Sequence, residues 1–257
     1  MRALDLAALI AAGAGAGVMN ALAGGGTLLT FPTLVLLGVP AKIANATSTV
    51  ALVPGALASF AGYWPEARSH RRWLTTLLWP SLVGGACGSF LLLATPEKLF
   101  SRLAPALVLF ATLLFAWQSR RTGAATTGDE APPDPAMHGS RGLAVAAQFA
   151  VAVYGGYFGA GIGILMLAIL AGLGLSNIHA MNGLKNFFGT CINGVAATIF
   201  LVSGAVDWRT GLPLLVGAVA GGYAGARFGR RIGRERARQA VIVVGLLVTG
   251  LLLAQQI

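Results

Sequence analysis

Residues 17–50 read GVMNALAGGGTLLTFPTLVLLGVPAKIANATSTV, and the glycines at 24–26 are the hinge of the fold. An apolar run over 4–22 leads into them. A short apolar run over 27–39 leaves them, and a cluster of amides and hydroxyls follows. Three consecutive glycines permit positive φ angles and a sharp reversal that side chains would obstruct. The pattern returns in the second half as GGYFGAGIG at 155–163, again followed by a short apolar run, 162–175.

The surroundings are those of a membrane protein. Of 257 residues, 56% are hydrophobic and only 10% charged, and the mean hydropathy is +0.76. A soluble domain carries roughly a quarter of its residues as charges. Apolar segments fall at 4–22, 27–39, 44–63, 74–94 and 103–118, then at 142–158, 162–175, 181–203, 211–229 and 239–254. Several reach the roughly 20 residues that span about 30 Å of hydrocarbon. The start, Arg2 followed by an Ala- and Leu-rich run, resembles a signal peptide. Its continuation into a glycine-rich element with a counterpart later in the chain argues for a membrane helix instead.

Between the two sets lies SRRTGAATTGDEAPPDPAMHGS, 119–140, whose Gly, Pro, Ser, Thr and Asp content reads as a solvated linker. The expected organisation is a first transmembrane repeat over 1–118, a flexible cytoplasmic linker over 119–140 and a second repeat over 141–257. A shift of 136 positions pairs Gly25 with Gly161, Leu29 with Leu165 and Leu34 with Leu170. It also pairs Leu37 with Leu173, Gly38 with Gly174 and Ala44 with Ala180. In a chain rich in these residues the shared rhythm of long run, glycine break and short run weighs more than the identities.

Charge tests the topology. The net charge of +10 comes from 18 Lys and Arg against 8 Asp and Glu. The basic residues gather in short loops, which points to positive-inside topology rather than nucleic-acid binding. If each glycine-broken stretch crossed the membrane once, the loop holding Arg68, Arg71 and Arg72 would lie opposite the one carrying Arg227, Arg230, Arg231, Arg234, Arg236 and Arg238. If the chain turns back at each break, both loops and the linker, with Arg120, Arg121 and Arg141, fall on the cytoplasmic side. The expected fold is therefore an all-α polytopic membrane protein of two inverted-topology repeats. Each repeat opens with a glycine-broken element, either re-entrant or a pair of short crossings, and the short second members favour re-entry. Tyr63, Trp64, Trp73 and Trp117 flank basic loops, as headgroup-level aromatics do.

After each break a helix starts anew, so free N–H groups and the positive dipole end face the membrane interior, a setting that attracts anions. The first candidate constellation is Asn20, Gly24, Gly25, Gly26 and Thr27, with Gly161 and Gly163 from the second break. Glycine used for close helix packing is the competing reading. The second constellation is Asn45, Thr47, Ser48 and Thr49, matched by Asn182, Lys185 and Asn186, with Thr190 and Asn193 beyond. Asn182, Lys185, Asn186 and Asn193 recur at helical spacing and share one face. Hydroxyls and amides can hold an oxyanion without permanent charge. Lys185 is the sharpest signal: a lysine near mid-helix costs about 2.5–3.5 kcal/mol on insertion, unless it snorkels to the interface. Small-xxx-small spacings at Gly13/Gly17, Gly84/Gly88, Gly221/Gly225 and Gly225/Gly229 fit close helix crossings.

Other chemistries find little support. Asp5, Glu66, Glu97, Asp207 and Glu235 sit near segment ends or loops, so a carboxylate proton relay is not expected. Cys87 and Cys191, and His70, His138 and His179, show no metal-ligand spacing, and no metal or cofactor is expected. GAGIG lacks the preceding strand and the later acidic residue of a dinucleotide loop, and neither H-E-x-x-H nor G-x-S-x-G occurs. The expected protein is not an enzyme. Its partners are a small anionic substrate and the lipid bilayer, with no nucleic acid, and its oligomeric state is open.

The segments at 17–50 and 155–194, with GAVDWR at 204–209, are similar to the sulfite exporter TauE/SafE family of bacterial membrane proteins. The family's Gly-x-Val-Asp-Trp element matches 204–208, and the resemblance spans nearly the whole chain. It implies a carrier in the bacterial inner membrane, exporting sulfite or an organosulfonate through a site between repeats that rock against each other. A passive anion channel and a carrier of another small anion such as thiosulfate are the alternatives. Where the family usually reads Gly-Thr-Ser-Lys, this chain reads Asn-Gly-Leu-Lys at 182–185, without the hydroxyls at 183 and 184.

Overall fold

The structure is a computed structural model that describes residues 2–22, 25–121, 140–175, 177–232, 239, 242–243, 245–247 and 249–250. Gly24, most of the linker, Arg234, Arg236 and Arg238 lie outside the described residues, as does half of the last apolar segment. Among the described residues there is no strand. The helices are α1 (Ala3–Leu22), α2 (Thr27–Leu36), α3 (Ala41–Arg68), α4 (Arg71–Ala94), α5 (Glu97–Arg121), α6 (Arg141–Tyr157), α7 (Ile162–Gly172), α8 (Ile178–Val202) and α9 (Trp208–Ile232). Among the described residues, four segments are long and apolar enough to cross a membrane: Ala3–Asn20, Arg71–Ala94, Glu97–Trp117 and His179–Val202.

Local chemistry sets the boundaries. Gly25, with φ of 94°, and Gly161, with φ of 79°, stand at the entries to α2 and α7 in the left-handed region that side chains resist. Ser140 caps α6 by accepting from Leu143 N at 3.1 Å. Asn177 caps α8 by accepting from the His179 and Ala180 amides at 2.9 and 3.1 Å. Each such cap satisfies backbone donors that a helix start leaves open. α2 and α7 hold 10 and 11 residues, so they are about 15 and 16 Å long, half the thickness of a bilayer core.

Positions 136 apart behave alike. Gly38 and Gly174 both have positive φ, as Gly25 and Gly161 do. Leu37 and Leu173 end α2 and α7, and the pairs Leu34/Leu170 and Ala44/Ala180 are buried. Helix pairing follows the same exchange. α1 packs on α9 as α6 packs on α4, α3 meets α9 as α8 meets α4, and α3 and α8 pair with each other.

Two of these contacts are close enough to need glycine. A Cβ on Gly13 or Gly17 would strike the backbone of α9 at Leu214 and Ala218, and one on Gly88 the carbonyl of Val153 in α6. Along α1 the contacts climb with those along α9, and along α4 with those along α6, so both pairs run parallel. Gly221 joins the α1 crossing against Ala14; Gly225 and Gly229 lie outside the described side chains. α3 and α8 run antiparallel, with Ala56 beside Thr190 and Phe60 beside Phe187.

Among the described residues the core has one large cluster built on Phe31, Phe100, Phe115, Phe158 and Phe200, another on Trp73, Leu77, Met166, Leu184 and Phe188, and a small third of Ala16, Leu52 and Ala218. Trp73 thereby corrects a reading of the sequence. Its side chain is fully buried among α6, α7 and α8 residues, and it is not displayed beside the basic loop. Trp64 and Trp117 are exposed at 41% and 43%, while the Tyr63 side chain lies outside the description.

Candidate functional site

The two glycine breaks meet at one cavity of ≈ 100 Å³. The end of α1 contributes Asn20, and the first break and start of α2 contribute Gly25 and Thr27. The second break and α7 bring Gly159, Gly161, Ile162 and Gly163. α3 lends Thr49, Leu52 and Ala56, and α8 lends Lys185, Asn186, Gly189, Thr190 and Asn193. Both helix starts are held in place. Asn20 Oδ1 accepts from Gly26 N at 2.8 Å across the first break, and Tyr154 donates its hydroxyl to the Ala160 carbonyl at 2.8 Å across the second. Phe115 lies directly under Gly25, and Ala111 and Leu114 lie under Gly161, so α5 supports both turns.

The polarity of this cavity is one-sided. Two helix N-termini face it, each worth about half a positive charge. Lys185 adds a basic side chain, its aliphatic stem lying over Gly163, where a Cβ would stand 3.2 Å from Lys185 Cδ. No carboxylate belongs to the described lining. Around these sit the amides of Asn20, Asn186 and Asn193 and the hydroxyls of Thr27, Thr49 and Thr190. Thr49 donates to the Asn45 carbonyl at 3.0 Å and Thr190 to the Ala56 carbonyl at 3.2 Å. Such a site suits a small anion that accepts hydrogen bonds.

Of the residues singled out in the sequence, Asn20, Gly25, Thr27, Thr49, Gly161, Gly163, Lys185, Asn186 and Asn193 line this cavity together. Gly24 lies outside the described residues. Gly26, Asn45, Thr47, Ser48 and Asn182 lie outside the lining, and for three of them the reason is a structural bond. Asn45 donates Nδ2 to the Tyr157 carbonyl at 2.9 Å, anchoring the last residue of α6. Thr47 accepts from Asp207 N at 2.9 Å. Ser48 pairs with the Thr30 hydroxyl and ties α2 to α3.

The sequence reading missed Leu52, Ala56, Gly159, Ile162 and Gly189. Leu52 and Ala56 continue the Thr49 face of α3 at intervals of three and four, and Gly189 continues the Lys185 face of α8. Helical spacing could have found them. At 183 and 184, where the sequence departs from the family pattern, Gly183 is buried and Leu184 is fully buried in the core; neither lines the cavity.

A second cavity, of ≈ 350 Å³, lies at the starts of α1, α3 and α9 among Asp5, Val39, Pro40, Asp207 and Arg209. Its carboxylates are engaged locally. Asp207 accepts from Arg209 N at 3.0 Å and from the Thr210 hydroxyl at 2.8 Å, capping α9, and Asp5 accepts from Arg2 N at 2.8 Å.

The family described as Sulfite exporter TauE/SafE matches the chain over residues 9–252. A "Probable membrane transporter protein" of Haemophilus influenzae is 26% identical over 254 residues, covering 98% of this chain and 95% of its own. "Probable membrane transporter protein YfcA" of Escherichia coli K12 is 26% identical over 247 residues, covering 93% of this chain and 86% of its own. No solved structure matches.

Proposed function

The chain belongs to the sulfite exporter TauE/SafE family, and from that premise we propose that it carries a small sulfur oxyanion, sulfite or an organosulfonate, out of the cytoplasm through the cavity between its two glycine breaks. Membership makes it a membrane transporter; the substrate, the site and the direction are this proposal's own. One observation carries it: two helix starts and Lys185 converge on a cavity whose described lining holds no carboxylate. An oxyanion would be gripped by the backbone N–H groups of the breaks, by Lys185 and by the surrounding amides and hydroxyls. Charge-assisted hydrogen bonds of this kind are about twice as strong as neutral ones.

The architecture supporting this reading is an inverted repeat with re-entrant hairpins. Supporting it are the shared backbone conformation at positions 136 apart, the exchange of helix partners and the half-bilayer length of α2 and α7. The parallel pairs also agree with the charge rule. α4 and α6 then both start on the cytoplasmic side, beside Arg71, Arg72 and Arg141, in an inner-membrane protein with a cytoplasmic linker. The moving parts follow the packing. Glycine crossings bind α1 to α9 and α4 to α6, so each rigid arm combines helices of both repeats. A rocking of one intact repeat against the other would have to break these contacts. Transport proceeds by the two arms shifting about the α3–α8 axis.

Flux into reconstituted vesicles tests the proposal, with sulfite, sulfate, thiosulfate and a short sulfonate compared on wild type, Lys185→Ala and Thr27→Val. Saturable flux of a sulfur oxyanion, weakened in both variants, is expected. Normal affinity in both would remove the cavity from the pathway, and flux that never saturates and shows no counterflow would indicate a channel.

A further inference from the structure

The cavity is flanked by different packing on its two sides. Because α3 and α8 are antiparallel, moving from Ala56 toward the end of α3 is moving from Thr190 toward the start of α8, and both lead to the loop holding Arg68, Arg71 and Arg72. One turn beyond Ala56 stands Phe60, and another turn on stands Trp64. On α8, Phe187 follows the lining residue Asn186. These rings close on one another. Phe60 and Trp64 have centroids 5.4 Å apart, Phe60 and Phe187 5.5 Å, and Trp64 and Phe187 6.3 Å. Phe187 rests on the fully buried Phe188 at 5.2 Å.

The other side carries rings too, but Phe31, Phe100 and Phe158 meet there fully buried in the main core. There α3 presents Ala46, Val50 and Ala51, and α8 presents Ala196, Ala197 and Phe200, all within the main core and none more than 8% exposed. Side chains buried in this core, Phe200 among them, have no free space to turn into, so opening there means separating helices. The aromatic side is thinner. Phe60 and Phe187 are half-buried and Trp64 is 41% exposed, and partly exposed side chains change rotamer in picoseconds to nanoseconds, whereas collective helix motions take microseconds or longer. Ring edges carry partial positive charge, so rings turned aside offer an anion an electrostatically tolerable passage.

We infer that Phe60, Trp64 and Phe187 form a side-chain gate closing the cavity toward the basic α3–α4 loop, while the opposite side is closed by helix packing. This rests on the cavity being the anion site, but its test does not need transport. In a background of Cys87→Ser and Cys191→Ala, a reporter thiol is placed in the cavity by Gly189→Cys, where an added Cβ meets no atom within 4 Å. A reference thiol in the basic loop, Ser69→Cys, identifies which vesicle face reaches that loop. The probe is methanethiosulfonate ethylsulfonate, a small membrane-impermeant anion.

Each ring contact contributes a few-fold to a closed equilibrium. Phe60→Ala, Trp64→Ala and Phe187→Ala should therefore raise labelling of position 189 from the basic-loop face about tenfold, leaving labelling from the other face unchanged. Phe187→Tyr should stay near the parent rate. Rates unchanged in Trp64→Ala, whose half-exposed ring can be removed without emptying the core, and in Phe60→Ala would overturn the gate. So would an equal rise from both faces, the mark of a loosened fold. Sulfite flux on the same vesicles separates the two ideas. Gated labelling without anion flux sinks the proposed function alone, and flux with ungated labelling sinks the gate alone.

Discussion

Lys185 shows what a single residue can reveal. Its isolation in an apolar helix marks it in the sequence, and the structure lays its stem over Gly163 at a helix start. Losing a charged hydrogen-bond donor to an anion costs about 1.5–3 kcal/mol. Lys185→Ala should therefore weaken half-saturation for the transported anion by about 10- to 100-fold, with Lys185→Arg recovering part, as vesicle flux titrations would measure. Gly161, with φ of 79°, should yield a stability effect: Gly161→Ala should cost about 1–2 kcal/mol, seen as a lowered unfolding midpoint in detergent. Other residues were illegible singly. Asn45, Thr47 and Ser48 look like ligands because they are polar in an apolar run. Two of them instead serve partners far along the chain, Tyr157 and Asp207, and no local pattern announces such a bond.

Among elements, the short helices were the most legible, since glycines on one side and a Leu-Gly end on the other leave little choice of boundary. α3 was less so. The apolar run suggested 44–63, whereas the helix spans Ala41–Arg68 behind a Pro40 cap, because polar residues that escape a hydropathy window still form helix when packed. The glycine spacings announced close crossings without naming their partners; only packing pairs α1 with α9 and α4 with α6. This yields a contrast within one residue type. Gly88→Ala sets a methyl against the Val153 carbonyl and should destabilise by about 1–3 kcal/mol. Gly55→Ala meets no atom within 4 Å and should gain roughly 0.5–1 kcal/mol from helix propensity. Thermal unfolding of the two variants side by side measures both signs.

At the scale of the whole molecule, charge and energy are linked. The described helices place no carboxylate in the cavity lining, so a proton carried on an acidic side chain there has no seat. An inside-negative potential drives a monovalent anion outward with about 2.3 kcal/mol per 100 mV. Export should therefore follow the imposed potential, and a protonophore added at a clamped potential should leave the flux unchanged; vesicles with potassium and valinomycin measure both. Collapse of flux under the protonophore would require proton coupling. The family and the helical, membrane-spanning character were readable from the sequence alone. The pairing of α1 with α9 and of α4 with α6 was not, because it depends on which distant helices touch.

Those glycine crossings bear on how the protein is made. Gly13 and Gly17 of α1 and Gly84 and Gly88 of α4 pack against α9 and α6, which the ribosome delivers later, so these surfaces of the first half must wait in the membrane uncovered. A chain stopped after residue 121 should be a target for membrane quality control. Two separately encoded pieces, divided in the linker and produced in the same cell, should find each other and accumulate together, and neither should persist alone.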